Sequence, residues 1–187
     1  MDSRNRTVTL LRPNMRLDLG GIAKGYAADA ALKILKKRGM PRALVAASGD
    51  LAIGDPPPGE DGWKIGVTSI DTHGNESAES LVLRNAGVST SGDTEQAIEI
   101  NGVRYSHILD PATGLGLTNR IQVTIVAPNA TTSDGLATAC CILGEKKTLR
   151  LVNSWPGVSA LILAKSDGKT RRVVSLGFRL YSATHDD

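Results

Sequence analysis

Apolar residues along the chain fall into runs with two different periods. Residues 63–70 and 121–127 are rich in β-branched side chains and read as strands. Residues 43–47 and 158–164 are short continuous apolar runs, the pattern of strands buried on both faces. Shorter stretches at 7–11, 80–85 and 172–176 also read as strands. Residues 97–100 and 103–108 flank Asn101-Gly102, a pair that accepts positive φ at both positions and so predicts a tight hairpin.

Helical spacing appears in 22–37, where Ile22, Tyr26, Ala30, Ile34 and Leu35 recur near a period of 3.6. Gly20-Gly21 precede this helix, and Gly39 and Pro41 end it. A second helix is predicted over 133–143 with Ser133 as its N-cap, and a third, short one over 146–153. Asp55-Pro56-Pro57-Pro58-Gly59 reads as a rigid exposed turn, and Ser166-Asp167-Gly168 as a turn into the last strand. There is no internal repeat. Strands in hairpins mixed with a few helices argue for an α+β fold rather than a doubly wound sheet.

The length of 187 residues suits one domain over 1–187. Aromatic residues are only 3%, so the core must be built from Val, Ile, Leu and Ala. Any ring-stacking contact would have to use Trp63, Trp155, Tyr26, Tyr105, Tyr181 or Phe178. The net charge of +3 is small and its cations are scattered, which argues against a nucleic-acid partner. The dense run Lys33, Lys36, Lys37, Arg38 falls where it complements a helix C-terminus. Cys140 and Cys141 are adjacent, which disfavours a disulfide between them, and their apolar setting implies burial rather than zinc binding. No stretch is long and apolar enough for a membrane helix, and residues 1–6 are not followed by a signal-peptide core, so no export signal is expected in this sequence.

Five clusters combine glycines, hydroxyls and titratable groups. Asp18-Leu19-Gly20-Gly21-Ile22-Ala23-Lys24-Gly25-Tyr26 lies at a helix start, where glycines admit a ligand and free N–H groups suit phosphate; it also reads as a helix start with Gly25 as a packing contact. Ser48-Gly49-Asp50 follows a strand expected to be buried and Ser91-Gly92-Asp93 follows Val88-Ser89-Thr90; taken alone, both read as turns before they read as sites. Tyr105-Ser106-His107-Ile108-Leu109-Asp110-Pro111-Ala112-Thr113-Gly114 sets an imidazole beside a rigid polar loop. His73 sits in a polar turn and His185 in the tail. Asp134 and Thr138 are four apart on a helix and so share a face, a pair of hard oxygen ligands suited to Mg²⁺. The same pair equally suits a first-turn aspartate and a hydroxyl bonded back to the helix.

In this order the clusters resemble the ApbE family of FAD:protein FMN transferases. His107, Asp110, Pro111, Thr113 and Gly114, followed by Asp134 and Thr138, are the more specific part. The resemblance implies a T-fold-like α+β architecture with antiparallel and mixed sheets, a cleft for FAD, and Mg²⁺ at the pyrophosphate. It implies transfer of FMN to a threonine of an acceptor protein with release of AMP, or, as in some members, hydrolysis of FAD to FMN and AMP. A flavin-binding module without catalysis is the third reading. By motif, Asp134, Thr138 and a carbonyl near Gly21 match the metal ligands. His107 matches the histidine on which transfer depends, and it or the nearby carboxylate of Asp110 could take the hydroxyl proton. Lys24, Gly25, Ser48, Gly49, Asp50, Ser91, Gly92 and Asp93, with Gly21 and Thr113, match residues expected to bind the flavin nucleotide. Family members carry on the order of a hundred more residues before the Asp18 element, so this chain is expected to be N-terminally short, and a second copy could complete its cleft. Thr94 stands where members often have an aromatic. Members are often periplasmic or membrane-associated.

Overall fold

The structure is a computed structural model that describes residues 1–70, 75–92, 97–166 and 168–182. Its centre is a six-stranded sheet in the order β1 (Leu44–Ala47), β2 (Asp50–Ile53), β5 (Ala86–Gly92), β8 (Arg120–Ala127), β9 (Ser159–Ser166), β10 (Lys169–Val174). Every neighbouring pair is antiparallel. Two hairpins stand outside it: β3 (Trp63–Ile70) with β4 (Glu76–Leu83), and β6 (Ala97–Ile100) with β7 (Val103–Ser106). The helices are α1 (Ala23–Lys37) and α2 (Ala130–Asn153).

The two-residue period of the strands sorts their side chains onto two cores. Val123, Ile125, Ala127, Ala160 and Ile162 face α2, where Ala137, Cys140, Cys141 and Val152 cover them. Their alternates Val126, Leu161 and Leu163, with Val88 and Ile53, face the β3–β4 hairpin and Phe178. The central strands are therefore apolar on both sides, which is why they read as continuous runs. A clasp fastens the hairpin to β10: Arg172 donates to Glu79 at 2.6 Å and to Ser69 at 3.1 Å, and Ser182 donates to Glu79 at 2.7 Å. These bonds and the Arg172 charge outweigh the effect of burial and hold the Glu79 carboxyl below its usual range.

Two of the two-residue hairpin turns use positive φ at both positions. Asn101 (51°) and Gly102 (76°) form the predicted turn, and Ser48 (51°) and Gly49 (94°) form a second, joining β1 to β2. The strand after that turn was not apparent in the sequence. Adjacent free cysteines are buried as expected.

Several expectations need correction. Residues 7–11 form no strand: Thr7 makes one bridge, to Asp2, and Leu10 and Leu11 are exposed, because no strand edge lies alongside. Helix α1 buries Gly25, Ala28 and Leu32, whereas Ile22, Tyr26 and Ile34 face outward. At Gly25 the helix lies too close to α2 for any side chain, so only small residues fit near that contact, and Leu32 is the one large residue it buries. Ser133 is not an N-cap. The helix begins at Ala130, and Asn129 caps it by accepting from the Thr132 N–H at 2.8 Å. Ser91 and Gly92 end β5 in extended conformation rather than forming a turn. The expected break between 143 and 146 exists as a kink within α2 at Gly144 (φ 71°, ψ 174°), a conformation open mainly to glycine. Across it the buried Thr148 hydroxyl donates to the Cys140 carbonyl at 3.1 Å.

Alternate residues of β5 carry α2. A Cβ at Gly87 would lie 2.2 Å from the Asn129 carbonyl carbon. Ser89 Oγ is 2.8 Å from Ser133 Oγ, and Ser91 Oγ is 3.1 Å from Thr138 Oγ1. Small side chains on this stripe let the helix lie against the strand. Gly87→Ala should therefore destabilise the fold by about 1–3 kcal/mol, the range for overpacking, read from the denaturation midpoint. An unchanged midpoint would show that the helix start is free to move.

Candidate functional site

A cleft of about 1380 Å³ opens where β5 and β9 end and β8 and β10 begin. One wall comes from the loop before α1, with Asp18, Gly20 and Gly21, and from Lys24 of α1. The opposite wall is β3, with Gly66, Val67, Thr68 and Ser69. Thr90, Ser91 and Gly92 form the floor beside Thr138, and His107 and Leu109 stand on the side of the second hairpin.

Each wall has a local cause. Asp18 Oδ1 accepts the Gly20 N–H at 2.7 Å, and the Leu19 carbonyl accepts from Ile22 and Ala23, so the double glycine folds into the start of α1. Gly21 then passes Thr138: a Cβ there would meet Thr138 at 3.4 Å. His107 follows β7, fixed by Ser106, whose hydroxyl accepts the Ile108 N–H at 3.1 Å. Ile108 is buried in the core under α2, which turns its neighbour His107 toward solvent and the cleft. The following loop closes through Gly114 N–H to the Asp110 carbonyl (2.7 Å) and Leu117 N–H to the Ile108 carbonyl (2.9 Å).

Asp134 is 1% exposed. Its Oδ2 accepts the Gly25 N–H at 2.9 Å, and its Oδ1 lies 3.9 Å from the Lys24 ammonium. Lys24 also pairs directly with Asp50, itself 2% exposed. Burial pushes the Asp134 carboxyl above its ordinary value, and the Asp50 charge adds to this; the Gly25 N–H and Lys24 oppose it. Thr138 lies one turn further along α2, with its hydroxyl at Ser91. The Gly21 carbonyl faces the same stretch of α2, since a Cβ on Gly135 would come within 3.9 Å of it.

Gly21 and Thr138 line the cleft, whereas the Asp134 carboxylate, one turn before Thr138 on α2, is buried at Gly25 and Lys24 and is not among the lining residues. A carboxylate, a hydroxyl and a backbone carbonyl are hard oxygen donors, which suit a small divalent cation that keeps waters and substrate phosphate oxygens as its other ligands. Among the described residues there is no cluster of three His, Cys, Asp or Glu side chains able to hold a metal. Any cation here would therefore depend on the carbonyl and hydroxyl.

Of the other expected residues, Lys24, Ser48, Gly49, Ser91 and Gly92 line the cleft. Gly25 does not: a Cβ there would lie 2.1 Å from the Ala130 carbonyl oxygen, so it is the contact point of the two helices. Asp50 meets the cleft through Lys24. Asp110 and Thr113 are not among the lining residues; Asp110 Oδ1 accepts the Ala112 N–H at 2.8 Å and Thr113 accepts from Leu115, holding their own loop. Asp93, Thr94, His73, His185 and Asp167 lie outside the described residues. The sequence reading missed Arg104, Arg120 and Lys165, which with Lys24 give the cleft four cations against Asp18 and Glu76. They lie far apart in sequence, and only the antiparallel pairing brings their strand ends together; Arg120 is paired with Lys165 across β8 and β9. Among the described residues no Phe, Tyr or Trp lines the cleft, so a flat ring entering it would meet aliphatic surface such as Val67, Ile108, Leu109 and Leu163.

The fold, an antiparallel sheet with two helices packed on it, is similar to that of solved flavin transferases. The flavin transferase ApbE from Vibrio cholerae superposes with a TM-score of 0.79 at 28% identity, covering 90% of this chain and 53% of that one. The ApbE protein of Thermotoga maritima gives 0.76 at 38% identity, over 90% and 54%. The ApbE family model matches residues 1–162, and the chain belongs to the ApbE family. The FAD:protein FMN transferase of Treponema pallidum is 40% identical over 168 residues, 84% of this chain and 46% of the relative. The chain spans about half the length of the curated relatives it matches.

The Asp134 environment predicts a pH effect. A carboxyl whose folded pKa is raised binds its proton more tightly in the folded state, so stability falls as pH rises from 3.8, the ordinary value, through the folded value. Asp134→Asn keeps an acceptor for Gly25 and removes the charge. In chelator at neutral pH its melting temperature should exceed that of the parent, and the gain should vanish at a pH below the ordinary carboxylate range. A lower melting temperature at neutral pH would contradict the burial argument.

Proposed function

We propose that this chain carries out Mg²⁺-dependent transfer of FMN from FAD to a threonine of an acceptor protein, with residues 1–187 acting as one unit. The observation that supports this reading is a cleft lined by Gly21, Thr138 and His107, with the buried Asp134 carboxylate one helical turn from Thr138. The curated relatives are named FAD:protein FMN transferases, which supports transfer of FMN from FAD to a protein.

Asp134, Thr138 and the Gly21 carbonyl would hold the cation. When bound, it would neutralise charge on the diphosphate and on the departing phosphate. The remaining work falls to the chain. Lys24, Arg104, Arg120 and Lys165 draw a dinucleotide diphosphate into the cleft. The β3 wall and the floor at Thr90 and Ser91 limit how the substrate lies, so that the reacting atoms stand in line. The threonine oxygen forms a bond to the phosphorus of the FMN half as the bond from that phosphorus to the bridging oxygen breaks. AMP leaves with that oxygen, and His107 receives the hydroxyl proton. Asp110, held in its turn, supports the His107 loop. A second copy of the chain is the partner we assign to the open side of the cleft, where Leu17, Leu19 and Tyr26 are exposed beside Asp18 and Lys24.

With FAD, Mg²⁺ and a threonine peptide, the purified chain should yield fluorescent peptide and AMP in equal amounts. AMP and FMN without labelled peptide would identify an FAD pyrophosphatase; neither product despite bound FAD would identify a flavin-binding module. Asp134→Ala should abolish turnover. His107→Ala should lower transfer by about 10²–10⁴-fold, the usual worth of a positioned proton acceptor, with Mg²⁺ affinity retained.

A further inference from the structure

The stripe on β5 raises a question that cleft lining does not answer. Ser91 sits with Oγ 3.1 Å from Thr138 Oγ1, and its carbonyl accepts from Cys141 Sγ at 3.4 Å. Its side chain and main chain thus both meet α2, at residues three apart. Gly21 also packs on Thr138: a Cβ there would lie 3.4 Å from Thr138 Cγ2 and 3.5 Å from Oγ1.

A threonine hydroxyl has one proton and two lone pairs. If it ligates a cation, a lone pair must point at the metal and the proton must point away. The contact between Ser91 and Thr138 can run in either direction by geometry alone. With Thr138 donating and Ser91 accepting, the proton is held and both Thr138 lone pairs stay available to a cation; in the reverse direction Ser91 takes up one of them and leaves the Thr138 proton unplaced by this contact. Groups bonded to a metal ligand in this way fix its orientation and raise its basicity.

We propose that Ser91 is a positioning residue for the cation site: it takes the Thr138 proton and aims that oxygen at the metal. This rests on the reading of Asp134, Thr138 and Gly21 as the cation ligands, and gives Ser91 a role other than flavin contact. The neighbouring Ser89 offers an internal comparison. It makes the equivalent hydroxyl contact to α2, at Ser133, which also donates to the Ala130 carbonyl at 3.1 Å, but it does not touch Thr138 in any contact described.

The test is Mn²⁺ binding to the full chain without flavin, followed by electron paramagnetic resonance, with melting temperature recorded for every variant. Ser91→Ala should weaken Mn²⁺ by about 10- to 100-fold, Ser91→Thr should restore most of it, and Ser89→Ala should stay within about twofold of the parent. Equal affinity in Ser91→Ala and parent would overturn the proposal. So would an equal loss in Ser89→Ala, which would mean that any loosening of α2 suffices. Asp134→Ala separates the two levels: if it binds Mn²⁺ as the parent does, the cation site itself is misplaced and the role of Ser91 falls with it.

Discussion

The carboxylate of Asp29 on α1 accepts the first two N–H groups of α2, from Ala130 at 2.9 Å and Thr131 at 2.8 Å. The carboxylate of Asp134 on α2 accepts an N–H from the first turn of α1, that of Gly25. Each helix thus supplies the anion that the start of the other requires, since helix N-termini carry unpaired donors and partial positive charge. The exchange works only because Gly25 lets the backbones touch. It fixes the N-terminal portions of the two helices side by side, and with them the position of the Gly21 loop relative to the Asp134–Thr138 face. The cleft depends on this geometry: Lys24 and Gly21 come from one partner, Thr138 from the other.

Asp134 is also where structural and chemical demands meet. A carboxylate this deeply buried has a poor environment for its charge, relieved by one N–H and a lysine that it shares with Asp50. Sites that hold cations commonly keep such groups, because the same burial that disfavours the bare anion strengthens its attraction to a metal. The Lys24–Asp50 pair brings a positive charge close to Asp134 in the protein alone.

The strands that form the middle of the sheet were legible because burial on both faces leaves nearly uninterrupted apolar runs. β8 and β9 are of this kind. β2 escaped notice because its start, Asp50, is a charged residue paired with Lys24 from another element, a contact that local pattern cannot reveal. Helix α1 was recognised by period but turned the wrong way, since its large residues Tyr26 and Ile34 suggested an inner face that Gly25 and Ala28 actually form. Close helix contact reverses the usual link between size and burial. The motif residues were identifiable from order along the chain, and most of them surround one cleft. The arginines and lysine that give this cleft its charge were not, because their neighbourhood is created by strand pairing alone.

The kink at Gly144 divides α2 into mechanically separate segments. The first carries Asp134 and Thr138 and is locked to α1 and β5; the second, beyond the glycine, carries Arg150 and Val152 and runs out to Ser154. A continuous rod would transmit any tilt at its far end directly to the site, with leverage growing along its length. The break at Gly144, spanned by Thr148 on the Cys140 carbonyl, lets each segment seat on the sheet along its own direction. The outer segment is held by its own buried residues, Thr148 and Val152, so its course over the core is set apart from the orientation of the site-bearing face.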